Sequence, residues 1–154
     1  MTSWVVCDGS CTSPVVAVVN DREMPFLVDV CVVFFARQGL PSPVRAAAEQ
    51  QRLVPGERVE VVLRAGVGFD DGDLTERGWF FDTDAFSARL AVWAELLANG
   101  PWTEQFAFRP TFELVARHVY GELAPEVPGL AFVELEDRTY GSRTRYAPVP
   151  WSVS

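Results

Sequence analysis

The amino-acid sequence predicts an α+β domain in which a four-stranded antiparallel sheet carries two helices on one face. Three observations lead to this fold class. Two long valine-rich segments come first, two segments with helical spacing of apolar residues follow, and two further strand-like segments end the order. The order ββααββ suits two hairpins that flank a helix pair and bury apolar side chains between two layers.

The length supports one domain. A chain of 154 residues with 49% hydrophobic content is long enough for one core and too short for two ordinary domains. We therefore expect a single domain over residues 1–154. Its core is expected to span about 25–149, after an N-terminal extension over residues 1–24.

The first two core strands are rich in valine and phenylalanine. Residues 25–38, PFLVDVCVVFFARQ, are bounded by proline and glycine and are typical of a long, largely buried strand. Residues 56–69 alternate instead, as a strand with two distinct faces does. The side chains expected on one face are Val59, Val61 and Leu63. Those expected on the other are Glu60, Val62 and Arg64. After an acidic turn, a short strand is expected at 79–82, WFFD.

The first helix has clear boundaries. Any of Asp82, Thr83 and Asp84 can accept the free amide hydrogens of a first turn. The segment Asn99-Gly100-Pro101 ends the helix. The residues that form its apolar stripe are Phe86, Leu90, Trp93 and Leu97.

The second helix carries the single histidine of the chain, His118. It is expected to begin at Pro110-Thr111 and to end near Ala124-Pro125. Its apolar stripe consists of Phe112, Val115, Ala116, Val119 and Leu123. At about 100° per residue, His118 lies roughly 120° from the centre of that stripe. We expect a solvent-facing or subunit-contact position, with a proton-transfer role as the alternative.

Two strands close the order. Residues 129–137, GLAFVELED, place one set of apolar side chains on the same face: Ala131, Val133 and Leu135. Residues 142–149, SRTRYAPV, form the last strand and pair with it as a hairpin.

Composition excludes several function classes. The chain has 21 acidic residues against 13 basic ones, all arginine, for a net charge of −8. An acidic surface with scattered arginines repels phosphate backbones and anionic lipid, so neither nucleic acid nor a membrane is expected as a partner. The absence of lysine excludes a lysine Schiff base and a Walker-type phosphate lysine.

The N-terminal residues and the cysteines indicate a cytoplasmic protein. The first ten residues have neither a basic region nor an apolar signal core, and the apolar runs are too short for a membrane span. Cys7, Cys11 and Cys31 are odd in number and have no histidine nearby. We expect free or buried thiols rather than a disulfide framework.

Four segments, taken in order, resemble a known enzyme family. They are GERVEVVL (56–63), GWFFDTDAF (78–86), RPTFELVARHVYGEL (109–123) and AFVELEDRTYGSRTRY (131–146). The family is that of 6-pyruvoyltetrahydropterin synthase and 6-carboxytetrahydropterin synthase, and the resemblance covers roughly residues 33–146. It implies the T-fold, whose open sheet edges are closed by joining subunits into a barrel with helices outside. A homo-oligomer, a trimer or a hexamer of two trimers, follows as an expectation.

The family's reactive groups are not matched. Its three zinc-binding histidines fall on or near Gln38, Leu53 and Pro55, which form no competent zinc-binding set. Its nucleophilic cysteine has no counterpart in VRAAAEQQR (44–52), and its Asp-His pair has none in LANGPWTEQ (97–105). We therefore expect no metal site and no cofactor.

The resemblance retains the half of the site that would hold a heterocycle. In the family a buried strand glutamate accepts two hydrogen bonds from an amino-pyrimidinone edge, for which the two oxygens of a carboxylate are suited. Glu136 is the nearest match and Glu134 the alternative, unless both merely face outward on a half-exposed strand. Thr111 and Glu113 would border this site, and Asp82 is a further candidate. All three are equally explained as helix-start residues.

Two function classes remain. The first is a metal-independent biosynthetic enzyme of the lyase or cyclase type, which would catalyse cyclisation, addition or elimination by general acid–base chemistry on a small molecule held between subunits. The candidate catalytic residues are Glu136, Gln38, Glu104, Tyr140 and Arg138. The second is a non-catalytic small-molecule-binding or assembly protein on the same fold. A pterin synthase with a displaced metal site is a third and weaker interpretation.

Overall fold

A computed structural model describes residues 4–6, 15–17, 24–40, 58–78 and 81–148. Within these ranges the main sheet has four antiparallel strands in the order β3-β4-β5-β6. They are β3 (Phe26–Ala36), β4 (Val59–Phe69), β5 (Leu130–Asp137) and β6 (Ser142–Tyr146). A second, two-stranded antiparallel sheet consists of β1 (Trp4–Val6) and β2 (Val15–Ala17).

Three α-helices lie between β4 and β5 in the part of the chain that the structure describes. They are α1 (Thr83–Ala98), α2 (Trp102–Gln105) and α3 (Phe112–Leu123), and a 3₁₀ turn, Asp71–Asp73, precedes them. The predicted α+β class with a four-stranded antiparallel sheet is thus confirmed, with three helices where two were expected. The four residues of α2 are too few to show an apolar repeat. It is held by Trp102, which is fully buried and donates its indole N–H to the carbonyl oxygen of Leu97 at 2.8 Å.

The core lies between the helices and one face of the sheet. Alternate residues of the two central strands enter it, as the alternation in the sequence predicts. The fully buried members from these strands are Val61, Leu63, Ala65, Val67, Val133 and Leu135. The helices contribute the two predicted stripes, except that Trp93 is only partly buried and Ala94 takes its place in the core.

One inward position was predicted wrongly on β5. The pairing between β4 and β5 shifts at Gly66 and Val67, so Gly66 faces Phe132 while Val67 faces Leu130. The extra residue, Ala131, is half-buried, and Leu130 enters the core in its place. An irregularity of this kind adds one residue to one strand and cannot be read from alternation alone.

The prediction that the first core strand is largely buried is wrong. Within the described part of the chain β3 pairs with β4 alone and lies at an edge of the sheet. Its residues alternate between burial and exposure, so Phe34 is buried while Val33 and Phe35 are 46% and 51% exposed. A continuous apolar run predicts burial on both faces, but the described helices cover only one.

Several predicted features lie outside the described residues. They are Cys7, Cys11, Leu53, Pro55, residues 44–52, residue 149 and the first half of the short strand at 79–82. Phe81 and Asp82, the second half of that strand, are not in a strand, because Asp82 instead caps α1.

One end of the sheet gathers the starts and ends of several elements. We call it the Gln38 end: β3 and β5 finish there, and β4 and β6 begin there. The backbone N–H of Trp102 donates to the carbonyl oxygen of Arg37 at 2.8 Å, which attaches α2 to this end. The side-chain amide of Gln38 donates to the carbonyl oxygen of Pro110 at 3.1 Å, which attaches the start of α3.

Candidate functional site

The face of the sheet opposite the core carries a network of ion pairs. We call it the helix-free face, because the described helices pack on the other one. Its central charged side chains are Arg64 on β4, Glu134 and Glu136 on β5, and Arg143 and Arg145 on β6. They lie together because Arg64 pairs across the strands with Glu134, and Glu134 with Arg145.

Glu134 is the centre of this network. Its side chain is 1% exposed, and both of its oxygens accept short hydrogen bonds. Oε1 accepts from Nη1 of Arg64 and Oε2 from Nε of Arg145, each at 2.8 Å. Nε of Arg143 lies 3.5 Å from Oε1. A carboxylate so surrounded by guanidinium groups can remain buried because its charge is paired and hydrogen-bonded.

Phe132 and Gly66 form the floor beside Glu134. The ring of Phe132 occupies the space above Gly66, where an added Cβ atom would lie only 2.3 Å from Cε1 of that ring. The guanidinium carbon of Arg145 lies 4.0 Å from the centroid of the same ring. Arg145 is therefore positioned both by a buried carboxylate and by an aromatic face, a favourable pairing for a cation.

Arg64 joins the network to the edge strand. Its Nε lies 3.4 Å from Oδ2 of Asp29 on β3. Burial alone would lower the pKa of the Arg64 guanidinium, but the hydrogen bond and the negative charge of Glu134 raise it above its ordinary value. Arg64 is consequently a permanent cation in this network.

Glu136 occupies a different environment from Glu134. Its side chain is 23% exposed, and its Oε2 accepts a hydrogen bond from Nη2 of Arg143 at 3.3 Å. Within the described ranges Oε1 of Glu136 has no donor. The buried glutamate expected at position 136 is thus at position 134, and Glu136 is the more accessible carboxylate of the two.

Other predicted catalytic residues lie at the Gln38 end. Arg138 and Tyr140 belong to the turn between β5 and β6, where the backbone N–H of Arg138 donates to the carbonyl oxygen of Glu60 at 2.9 Å. The backbone N–H of Tyr140 donates to Oδ1 of Asp137 at 3.0 Å. Glu104 is exposed on α2 at the same end. These residues are therefore near one end of the sheet, while Glu136 lies two residues inward from Arg138.

The helix-start residues have structural roles. Oγ1 of Thr111 accepts from the backbone N–H of Leu114 at 3.3 Å and caps α3, and Glu113 is exposed in the first turn of that helix. Both lie at the Gln38 end. Oδ1 of Asp82 accepts from the backbone N–H groups of Asp84 and Ala85 and caps α1.

Asp82 does not join the other candidates. The helix that it caps has 16 residues and ends beside the Gln38 end. At about 1.5 Å per residue the helix is roughly 24 Å long, so Asp82 lies near the opposite end of the sheet.

His118 lies in the helix layer, away from the helix-free face. It is half-buried, and its ring lies 6.0, 5.3 and 5.5 Å from the ring centroids of Trp93, Phe106 and Phe108. The expected solvent-facing position is thus wrong in part, because these aromatic rings cover one side of the imidazole. They give the imidazole packing partners but no acid–base partner among the described residues.

Sequence reasoning missed the arginines of the helix-free face. The segment SRTRY alternates, so Arg143 and Arg145 must share a face of β6, and the same holds for Glu134 and Glu136 on β5. That pattern was a usable signal for a charged surface. Which arginine meets which glutamate depends on the strand pairing, which the turn between them sets.

Nowhere in the described ranges do three or more His, Cys, Asp or Glu side chains gather as a group able to hold a metal ion. None of the helices in the described part of the chain combines the length and the apolar character needed to cross a membrane. A scan against protein-family models and a search of curated proteins gave no match to this chain.

Proposed function

We propose that this protein is a divergent, metal-independent relative of the 6-pyruvoyltetrahydropterin synthase family. In this proposal it binds a small heterocyclic molecule on the helix-free face, and the carboxylate of Glu136 accepts the hydrogen bonds of that molecule. The observation that carries this proposal is the contrast between Glu134 and Glu136. Both oxygens of Glu134 already accept short hydrogen bonds, whereas Glu136 has one long contact and is partly exposed. The carboxylate of Glu136 can therefore accept hydrogen bonds from a ligand with two parallel N–H donors.

The position of Glu136 also suits acid–base chemistry. Arg138 lies two positions further along the chain, about 7 Å away, just after the strand ends at Asp137. A carboxylate that receives an N–H group in a site closed by a neighbouring subunit can exchange a proton with the bound ring. Under this proposal the reaction is a cyclisation, addition or elimination, and Arg138 contacts the ligand from the Gln38 end. Tyr140 instead packs against the helix-side core.

Assembly belongs to the same proposal. The outer edge of β3 is unpaired over most of its length within the described part of the chain, and an unpaired edge is a template for another strand. The side chains of Leu27, Val33 and Phe35 are exposed on the helix-free face of the same strand. We propose a trimer or a hexamer, and light scattering on the purified protein measures it. A monomer at micromolar concentration would contradict this part.

The second candidate function is a non-catalytic binding or assembly protein. The exposed apolar side chains of β3 favour it, because contacts between subunits explain their exposure without any reaction. Turnover separates the two functions: an enzyme consumes the ligand, whereas a binder only raises the melting temperature.

Replacement of Glu136 by glutamine tests the proposed site. The change keeps the shape of the side chain but turns one acceptor oxygen into a donor. We expect binding of amino-pyrimidinone probes, such as pterin and guanine, to weaken at least about tenfold, which corresponds to roughly 1.4 kcal/mol. Isothermal titration calorimetry measures the binding, and chromatography of the incubated probe measures turnover. The matched control is Glu122→Gln, because Glu122 is exposed on α3.

Two outcomes would change the proposal. If Glu136→Gln binds the probes as the unmodified protein does while Glu134→Gln loses them, the ligand-binding carboxylate is Glu134. If both variants bind normally, or if the unmodified protein binds neither probe, the proposed pocket is wrong.

A further inference from the structure

Glu136 has two cross-strand neighbours of different character. On β4 it pairs with Val62, an apolar residue that is 1% exposed, and on β6 it pairs with Arg143. Nη2 of Arg143 donates to Oε2 of Glu136 at 3.3 Å. One side of the carboxylate therefore borders an apolar surface, and the other borders a cation.

Two other arginines of the network neutralise Glu134 rather than Glu136. Arg64 and Arg145 each donate a hydrogen bond of 2.8 Å to Glu134. Arg143 lies 3.5 Å from the same carboxylate, beyond the two donors that already occupy its oxygens. Its hydrogen bond to Glu136 is shorter, so Arg143 serves mainly as the counterion of Glu136.

Arg138 is the next cation along the chain, but it has a carboxylate of its own. It follows Glu136 by two positions, and its Nη1 lies 4.0 Å from Oε1 of Glu60. Arg143 contacts Glu136 directly and therefore exerts the stronger field on a ligand bound there.

A cationic ligand would compete with Arg143 for the same carboxylate. Amidine and guanidinium groups present two parallel N–H donors and bind an unpaired carboxylate strongly. Here Arg143 already balances the charge of Glu136, and a ligand cation on Oε1 would lie roughly 6 Å from that guanidinium, about two hydrogen-bond lengths. Two like charges at this distance repel each other even where water reaches them. A neutral N–H donor meets no such repulsion.

We infer that Arg143 is a specificity-determining residue of the proposed site, because its positive charge restricts Glu136 to neutral N–H donors and excludes cationic ones. The inference rests on the proposed function and adds the residue that sets its charge selectivity. Within the described ranges Oε1 of Glu136 has no donor, so a neutral ligand can bind while Arg143 stays on Oε2. Discrimination of this kind works by repulsion of the wrong ligand rather than by an extra contact with the right one.

Isothermal titration calorimetry with two probes tests this role. Pterin is a neutral donor at neutral pH, whereas benzamidine is a cation and presents a similar pair of parallel N–H groups. At the same pH and ionic strength we expect the unmodified protein to bind pterin at least about fivefold more tightly than benzamidine. Measurable binding of benzamidine that equals or exceeds that of pterin would overturn the inference, and this comparison needs no variant.

Arg143→Gln removes the charge but keeps a side-chain donor beside Glu136. We expect benzamidine to bind at least about fivefold more tightly to this variant than to the unmodified protein, and the affinity for pterin to stay within about threefold. Arg143→Lys keeps the charge and should keep the discrimination of the unmodified protein, a rescue that a merely structural role would not give. The matched control is Arg117→Gln, which makes the same change in net charge at an exposed position on α3. It should alter neither affinity by more than about twofold.

The double variant with Arg143→Gln and Glu136→Gln shows whether Glu136 is the acceptor. It should lose the gain in benzamidine affinity, because the carboxylate that attracts the cation is gone. The inference is wrong if Arg143→Gln binds benzamidine no more tightly than the unmodified protein, if Arg117→Gln gives the same gain, or if the gain survives in the double variant.

The same experiments separate this inference from the proposed function. Pterin binding that depends on Glu136, with no gain of benzamidine affinity in Arg143→Gln, would reject the inference alone. A gain of benzamidine affinity that depends on Glu136, in a protein that does not bind pterin, would reject the proposed heterocycle alone and leave Arg143 as the residue that controls charge at this carboxylate.

Discussion

The two faces of the four-stranded sheet are built from alternate residues of the same strands, yet they are stabilised differently. On β4, Val61 and Leu63 point into the helix-packed core and are fully buried. Between and beyond them, Val62 and Arg64 point to the helix-free face, where Arg64 meets Glu134. One face excludes water by apolar packing against helices, and the other by arginines that cover a buried carboxylate.

This difference shows where chemistry can occur on the domain. Apolar packing is non-directional and leaves no donor or acceptor for a ligand. The ion-pair network has directional groups, and among the described residues those of Glu136 and Arg145 are only partly occupied. The two faces should therefore respond differently to substitution.

The largest effect is expected on the helix-packed face. Leu63 is fully buried, and Leu63→Ala removes its apolar contacts and leaves a cavity. We expect the free energy of unfolding to fall by about 3 kcal/mol, within the usual range for such a change. Urea denaturation followed by circular dichroism measures it. Leu96→Ala is the matched control because Leu96 is 51% exposed on α1, and its cost should stay below about 0.5 kcal/mol. Equal costs would show that Leu63 is not buried beneath the helices.

A smaller but distinctive effect is expected on the helix-free face. Glu134→Gln removes the charge that Arg64 and Arg145 share while keeping the size of the side chain. A fully buried pair that loses one partner typically costs 3 kcal/mol or more, but both arginines here can reach water, so we expect about 2 kcal/mol. Urea denaturation at low and at high salt measures it, and the cost should depend only weakly on salt because Glu134 is buried.

Glu136→Gln provides the comparison on the same strand and face. Glu136 is partly exposed and makes one long contact with Arg143, so its replacement should cost less than about 1 kcal/mol. If it costs as much as Glu134→Gln, the difference in environment between the two glutamates does not exist in solution, and the proposed ligand-binding role of Glu136 loses its basis.

The sequence predicts the helix-packed face better than the helix-free face. The caps of α1 and α3 at Asp82 and Thr111 follow from local hydrogen bonding, and most of the apolar stripes follow from helical spacing. These features depend on neighbours within a few residues. The burial of a strand depends on what packs above it. For that reason the apolar run of β3 predicts a largely buried strand, whereas the described helices cover only one of its faces.

The ion-pair network depends on contacts distant in the chain. Arg64 and Glu134 are 70 residues apart in the sequence. Alternation shows that Glu134 and Glu136 share a face, but only the pairing with β4 and β6 decides that Glu134 receives two short hydrogen bonds and Glu136 one long one. The resemblance to a pterin-binding family points to this strand and leaves open which of the two residues is the ligand-binding carboxylate.

A similarly small effect concerns a polar group within the helix-packed layer. The hydroxyl of Tyr120 on α3 donates to the carbonyl oxygen of Leu130 at 3.0 Å, and its ring contacts that of Tyr146 at 5.3 Å. Burial first, and the neighbouring Tyr146 second, raise the pKa of Tyr120 above its ordinary value. Tyr120→Phe removes one hydrogen bond and should lower the free energy of unfolding by about 1 kcal/mol at neutral pH.

The pH dependence gives this last prediction its sign. Tyr120 ionises near pH 10 in the unfolded chain and at a higher pH in the folded protein. Between these two values the folded state holds more protons, so the free energy of unfolding decreases as pH rises. The contribution is fully present below about pH 10 and is lost as pH rises through the folded pKa.

Urea denaturation from about pH 8 to about pH 11 should therefore show a shallower alkaline loss of stability for Tyr120→Phe than for the unmodified protein. Tyr146→Phe should retain most of that loss, because burial is the larger cause. An unchanged slope in Tyr120→Phe would mean that the hydroxyl is hydrated in solution and that α3 packs less closely on β5 than the structure shows.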